Sequence, residues 1–68
     1  MGVKIKIKEI RENAGYTQRQ LADILGINDS NLRNIENNYI KSIKLEHIEI
    51  MCRTFKITFD ELFELTKN

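Results

Sequence analysis

Two residues in this sequence carry side chains typical of catalytic or metal-binding centres, His47 and Cys52. They lie five positions apart in a segment with helical periodicity, so they are separated by about 140° around a helix and do not form a nucleophile–base pair. Cys52 continues an apolar stripe and is interpreted as a small core residue, whereas His47 is expected on the surface. Paired carboxylates, a phosphate-binding loop and metal-ligand spacing are all absent from the sequence. It therefore predicts no enzyme, no cofactor and no metal site.

A different chemistry is concentrated between positions 28 and 38, where five of eleven residues are Asn and one is Ser. Asn weakens a helix relative to the Glu, Lys and Ala that usually cover a solvated helix face. Amide and hydroxyl groups, however, hydrogen-bond well to the edges of nucleobases. The composition therefore favours a face that binds a ligand, and a solvated helix with good caps is the alternative.

Five short helices are predicted to position this segment. Thr17 with Gln20, and Thr58 with Glu61, form capping boxes that start the second and fifth helices. The other helices are expected over about residues 7–14, 28–37 and 45–55, and the fifth carries Phe59, Leu62 and Phe63. Val3, Ile5 and Ile7 alternate with lysines, which fits either a short N-terminal strand or an irregular lead into the first helix. The class is all-α, and 68 residues allow a single domain, 1–68.

The second and third helices are separated by a turn short enough for a helix-turn-helix. Ala22 is small where two helices must approach closely, and Gly26 can adopt the positive φ that a sharp turn needs. Ile27, Leu32 and Ile35 then anchor the third helix on the core. Because each residue type suits its position in this motif, the pattern is more specific than an isolated Ala and Gly would be.

The segments IRENAGYTQRQLADILGINDSNLRNIENN and LEHIEIMCRTFKITFDELF resemble the Cro/cI-type, or XRE-type, helix-turn-helix regulators. The resemblance extends from about Lys6 to Phe63 and is closest to the short stand-alone members. It implies a five-helix lambda-repressor-like DNA-binding domain. It also implies a transcriptional regulator, a repressor or autoregulator, that binds a pseudo-palindromic site on double-stranded DNA as a homodimer.

The resemblance places the third helix in the major groove, with its outer residues against the bases. The leading candidates for base contacts are Asp29, Ser30 and Asn34, and the secondary candidates are Arg33 and Asn31. Gln18 and Asn37 match phosphate-contacting positions, and weaker phosphate candidates are Arg19 and Lys41. Arg11 and Glu36 match a structural ion pair of phage repressors.

Three departures from the family pattern follow the third helix. Asn38 stands where the family usually has Gly, a Pro before the fourth helix is absent, and the loop over residues 39–44 is about one residue longer. The turn and the phosphate contacts of this region are therefore expected to differ from those of the family.

Charge is unevenly distributed although the chain carries 11 basic and 10 acidic residues. Residues 1–20 have a net charge of +3 and residues 21–40 a net charge of −2. The early lysines are interpreted either as a basic arm beside DNA or as edge-strand residues that discourage aggregation.

Ile24 and Ile50 are apolar at positions that are mostly exposed and polar in this family. Phe63 and Leu65, with Ile50, are predicted to form the dimer interface, because the family commonly pairs through its C-terminal helices; Ile24 is left unassigned. Ile24, Ile50 and Phe63 also support an alternative function as an antitoxin or protein-interaction module of a two-component locus, with a toxin or antagonist as partner. Neither a signal peptide nor an apolar run of about 18 residues is present, so a cytoplasmic protein without a membrane partner is expected.

Overall fold

The computed structural model describes residues 2–38 and 43–66. Along the chain the elements are β1 (Gly2–Ile5), α1 (Ile7–Asn13), α2 (Gln18–Leu25), α3 (Asp29–Glu36), α4 (Leu45–Phe55), α5 (Phe59–Leu62) and β2 (Phe63–Thr66). The five predicted helices are therefore present, and the N-terminal alternation of apolar residues and lysines is a strand.

The helix boundaries follow the local signals in the sequence. Both capping boxes form: the Thr17 hydroxyl accepts from the Gln20 N–H at 3.0 Å, and the Thr58 hydroxyl accepts from the Glu61 N–H at 3.3 Å. The Asn28 side chain caps α3 by accepting from the Asn31 N–H at 2.8 Å. Each cap satisfies a backbone N–H that the first helical turn leaves without a partner.

The core lies where all five helices and β1 meet. It consists of nine buried apolar residues, Ile5, Ile7, Leu21, Ala22, Leu25, Leu32, Ile35, Met51 and Leu62. Because every helix is short, each one contributes only one to three residues, and none has enough apolar surface to be stable without its neighbours.

The C-terminal segment differs from the prediction. Phe63 was expected in the fifth helix and Leu65 on a C-terminal helical surface, but α5 ends at Leu62 and both residues lie in β2. β2 pairs antiparallel with β1, with Val3 opposite Leu65 and Ile5 opposite Phe63. The Lys6 N–H donates to the Leu62 carbonyl at 2.8 Å and extends the pairing. Backbone groups of β1 therefore pair with this segment in place of the intrahelical bonds that a continued helix would have made.

Three residues of α4 also lie differently from the prediction. His47 was expected on the surface but is only 9% exposed, because it points towards the α2–α3 turn rather than to solvent. Ile50 was expected to be exposed but is half-buried against the core. By helical spacing, the apolar stripe that Cys52 was predicted to continue begins at Leu45, yet Leu45 is 82% exposed at the first position of α4.

Candidate nucleic-acid interface

The turn between α2 and α3 is held by one left-handed residue and two hydrogen bonds. Gly26 has φ 72° and ψ 29°, a left-handed conformation that is energetically unfavourable for residues that have a Cβ atom. The Ile27 N–H donates to the Ala22 carbonyl at 3.0 Å, and Asn28 then caps α3. Leu32 and Ile35 are buried on the inner face of α3, so the structure adopts the predicted helix-turn-helix register.

The outer face of α3 is free to meet a ligand. Of the predicted base-contacting residues, four are exposed: Ser30, Asn31, Arg33 and Asn34. Their amide, hydroxyl and guanidinium groups can donate to, or accept from, base edges in a major groove. The face is thus polar and accessible along the length of the helix.

Asp29, the first residue of α3, forms an ion pair within the protein. Its carboxylate lies 3.7 Å from the guanidinium of Arg19 on α2. Asp29 is a predicted base contact and Arg19 a predicted phosphate contact, so each neutralises the other in the free protein. Both side chains are well exposed, and an exposed pair of this kind contributes less than about 1 kcal/mol. Either partner can therefore exchange this contact for one to DNA at little cost.

A buried network joins α1, α2 and α3 behind the exposed face. Arg11 Nε donates to Glu36 Oε2 at 2.7 Å, and Arg11 Nη1 donates to the Tyr16 carbonyl at 2.9 Å. Gln18 Nε2 donates to Glu36 Oε1 at 3.0 Å. The Arg11–Glu36 pair expected from the family is present, and its side chains are only 9% and 3% exposed.

The position of Gln18 explains how it can serve both the fold and a ligand. It is the first residue of α2, where the backbone N–H groups of the first turn have no partner within the helix. Its side chain is oriented by the hydrogen bond to Glu36. A helix N-terminus with its positive end of the helix dipole is a favourable place for a phosphate oxygen.

The end of α3 contains a contact that the sequence did not indicate. Asn37 is exposed at the C-cap, as expected for a backbone-contacting residue. Asn38 has φ 70°, the conformation for which the family uses Gly. Its side-chain oxygen accepts from the Ile5 N–H at 2.8 Å and so ties β1 to the end of the third helix. Lys41, the remaining phosphate candidate, lies outside the described residues.

The predicted dimer residues are only partly brought together. Leu65 is 72% exposed and Phe63 is half-buried, whereas Ile50 is packed against the core. The structure adds two exposed apolar neighbours that sequence reasoning missed, Val3 and Phe59. The rings of Phe59 and Phe63 have centroids 4.7 Å apart. Ile24 is 41% exposed on α2.

Residues with catalytic or metal-binding chemistry do not converge. His47 is buried, and its Nδ1 has no hydrogen-bond partner among the described residues; Cys52 is half-buried at the edge of the core. Burial, with the nearby negative charge of Glu61, raises the pKa of the Cys52 thiol. Within residues 2–38 and 43–66, no three His, Cys, Asp or Glu side chains are grouped to hold a metal ion. None of the helices in those ranges is long and apolar enough to span a membrane.

The helices α2 and α3 pack together across a turn at Gly26, and the outer face of α3 is polar and exposed. These features define the molecule as a helix-turn-helix DNA-binding domain. A helix-turn-helix family model matches residues 7–62, and the chain belongs to this family of XRE-type DNA-binding regulators.

Two curated proteins are similar to the chain. Over 39 residues, 57% of the chain, it is 44% identical to the HTH-type transcriptional regulator ImmR of Bacillus subtilis strain 168. Over 60 residues, 88% of the chain, it is 25% identical to a glutamine–fructose-6-phosphate aminotransferase (isomerizing) of Methanocaldococcus jannaschii. The matched regions cover 31% of the first relative and 6% of the second. Both similarities therefore concern a small part of a longer protein, and the family assignment rests on the helix-turn-helix itself.

Proposed function

We propose that this protein is a homodimeric, sequence-specific regulator, a repressor or autoregulator, that reads the major groove of a pseudo-palindromic site with α3. The observation that carries the proposal is the exposed row of Ser30, Asn31, Arg33 and Asn34 on a helix whose opposite side is fixed in the core. Asn pairs well with adenine and Arg with guanine, so this row can distinguish base pairs. Such a protein acts in the compartment that holds the DNA, and we place it in the cytoplasm.

Phosphate contacts position the domain on the duplex. Gln18 and the N-terminus of α2 contact one phosphate, and Asn37 contacts the backbone at the end of α3. These contacts do not depend on sequence, whereas those of α3 do. Affinity therefore falls steeply with salt, and discrimination between sequences resides in α3.

The homodimer is supported by one face of the small β-sheet. Val3 and Leu65 are paired across the strands, point to the same side and are 50% and 72% exposed. Phe59 and Phe63 extend this apolar surface towards α5. Burying it against a second copy removes apolar area from water and doubles the number of base contacts.

Base reading is tested with a site obtained by selection from random duplexes. We expect Asn34→Ala to weaken binding to the selected site roughly 5- to 150-fold, the range for loss of one good amide–base pair. Binding to random duplex should not change. Asn13→Ala, at an exposed Asn at the end of α1, is the matched control and should bind like the wild type. Equal losses on both duplexes would refute base reading by Asn34.

Dimerisation is tested by sedimentation of two variants of exposed leucines. Leu65→Glu should convert a dimer to a monomer, because a charge in the centre of the apolar surface must be desolvated on pairing. Leu45→Glu places the same charge at a position that is 82% exposed on α4 and should remain dimeric. A dimer that survives Leu65→Glu would place the interface elsewhere.

A protein-interaction module, such as an antitoxin, is the second candidate. The observation in its favour is the same apolar surface, together with Ile24. A chain that remains monomeric at high concentration and binds selected and random duplexes equally would favour this candidate over the first.

A further inference from the structure

We propose that Lys4, Lys6 and Lys8 form a second DNA-backbone site outside the helix-turn-helix. The inference rests on the proposed DNA-binding function and deepens it. The ligand is a phosphate of the same duplex, on the side of the interface where Gln18 and Asn37 are proposed to contact the backbone.

The three lysines share one groove with α3. They line it together with Glu36, the last residue of α3. Glu36 is also the residue that orients Gln18 at the start of α2. The basic N-terminal segment therefore lies beside the end of the interface where phosphate contacts are proposed.

Asn38 fixes the N-terminal segment in this place. Its side chain accepts from the Ile5 N–H at 2.8 Å, and Asn38 directly follows the proposed backbone contact Asn37. On the other side, β1 is paired with β2 along its length. Lys4 and Lys6 therefore extend from backbone that is held at both edges, so they lose less freedom on contacting a phosphate than lysines of a loose arm.

The charges of the groove leave the lysines available. Three carboxylates also line it, from Glu9, Glu12 and Glu36. The Glu36 carboxylate is paired with the Arg11 guanidinium at 2.7 Å. The Glu12 carboxylate lies 3.9 Å from the same guanidinium. Among the residues that the structure describes, none of the three ammonium groups has a carboxylate oxygen within 4.0 Å.

The distribution of charge along the chain explains why DNA binding needs these lysines. Phosphate neutralisation supplies most non-specific affinity, yet residues 21–40, which include the whole of α3, carry a net charge of −2. Residues 1–20 carry +3, and three of their five cations are these lysines. The helix-turn-helix supplies the base contacts, and the three lysines supply cations that residues 21–40 lack.

The test measures how affinity for the selected duplex depends on salt, for the wild type and Lys4→Gln/Lys6→Gln/Lys8→Gln. Each lost phosphate contact lowers the slope of log K against log salt by about 0.9, so the triple variant should have a slope smaller by about 2 to 3. Its affinity should fall by roughly tenfold or more on selected and random duplexes alike. An unchanged slope would overturn the inference.

Single variants separate position from total charge and guard against misfolding. Lys8→Gln should lower the slope, while Arg53→Gln, which removes one cation from an exposed position of α4, should not. Equal effects of the two would overturn the inference. Asn38→Gly keeps the left-handed turn but releases β1, and it should weaken binding in the same sequence-independent way; normal binding by this variant would overturn the role of the tether.

The failure of this inference is distinguishable from failure of the proposed function. If the triple variant binds like the wild type while Asn34→Ala discriminates poorly between sequences, only the lysine site is wrong. If the wild type binds no duplex, the proposed function fails, and the lysine site with it.

Discussion

Glu36 offers the sharpest test of how the interface is supported. Its carboxylate accepts from Arg11 at 2.7 Å and from Gln18 at 3.0 Å, and its side chain is 3% exposed. In Glu36→Leu, the Arg11 guanidinium, itself 9% exposed, loses its buried counter-charge; it keeps its bond to the Tyr16 carbonyl and a 3.9 Å contact with the exposed carboxylate of Glu12. Removing one partner of a buried ion pair costs about 3–5 kcal/mol, because the remaining charge stays out of water.

That loss is large for a domain of this size. A chain of 68 residues has a total stability of roughly 3–10 kcal/mol. Each kcal/mol lowers the Tm by about 4–8 °C in a domain of this length, so Glu36→Leu should melt at least about 12 °C below the wild type or be unfolded at 25 °C.

The matched variants are Arg11→Met/Glu36→Leu and Glu49→Leu, each followed by thermal and urea unfolding with circular dichroism. The double variant should recover most of the loss, because an apolar pair of similar volume needs no hydration; the Tyr16 carbonyl is left without its donor and the Gln18 amide without its acceptor. Glu49→Leu removes the carboxylate of an exposed pair with Arg53 and should change stability by less than about 1 kcal/mol. If Glu36→Leu costs no more than Glu49→Leu, or the double variant is no better than Glu36→Leu, the reasoning from burial is refuted.

Three further predictions concern single positions. Thr17→Ala should lower the free energy of unfolding by about 1 kcal/mol, because the Gln20 N–H loses its cap; an unchanged urea midpoint would contradict this. Gly26→Ala should destabilise by about 1 kcal/mol or more from the strain of φ 72° alone, since a Cβ there meets no atom within 4 Å; a crystal structure of the variant should show the same turn, and a more stable variant would refute the strain. The Cys52 thiol has a raised pKa, so its thiolate fraction at a given pH is smaller than that of a free thiol; its rate of alkylation should reach half-maximum at a higher pH than in the urea-unfolded chain, and coincident pH profiles would contradict this.

Elements whose boundaries depend on neighbours in sequence were predictable. The boxes at Thr17 and Thr58 and the glycine at 26 act within one turn of the residues that they cap, so residue types alone identified them. The exposed face of α3 was predictable as well. Burial of Leu32 and Ile35 in the core fixes the rotation of the helix and leaves the opposite face in solvent.

Features that depend on partners far along the chain were not predictable to the same degree. Phe63 and Leu65 continue a helical apolar pattern, yet they form a strand because β1, about sixty residues earlier, supplies the hydrogen bonds. His47 carries no local signal for burial, and only the packing of α4 against the α2–α3 turn encloses it. The bond from Ile5 to Asn38 spans 33 positions and likewise has no counterpart in the local sequence.

The order of residues was enough to establish the family, the helix-turn-helix register and the polar face, since capping, turn geometry and helical periodicity are short-range effects. Folding in three dimensions decided which side chains support that face, where the N-terminal lysines lie and that the C-terminal segment is extended. These outcomes depend on hydrogen bonds and burial between segments whose separation along the chain carries no information about their distance in space.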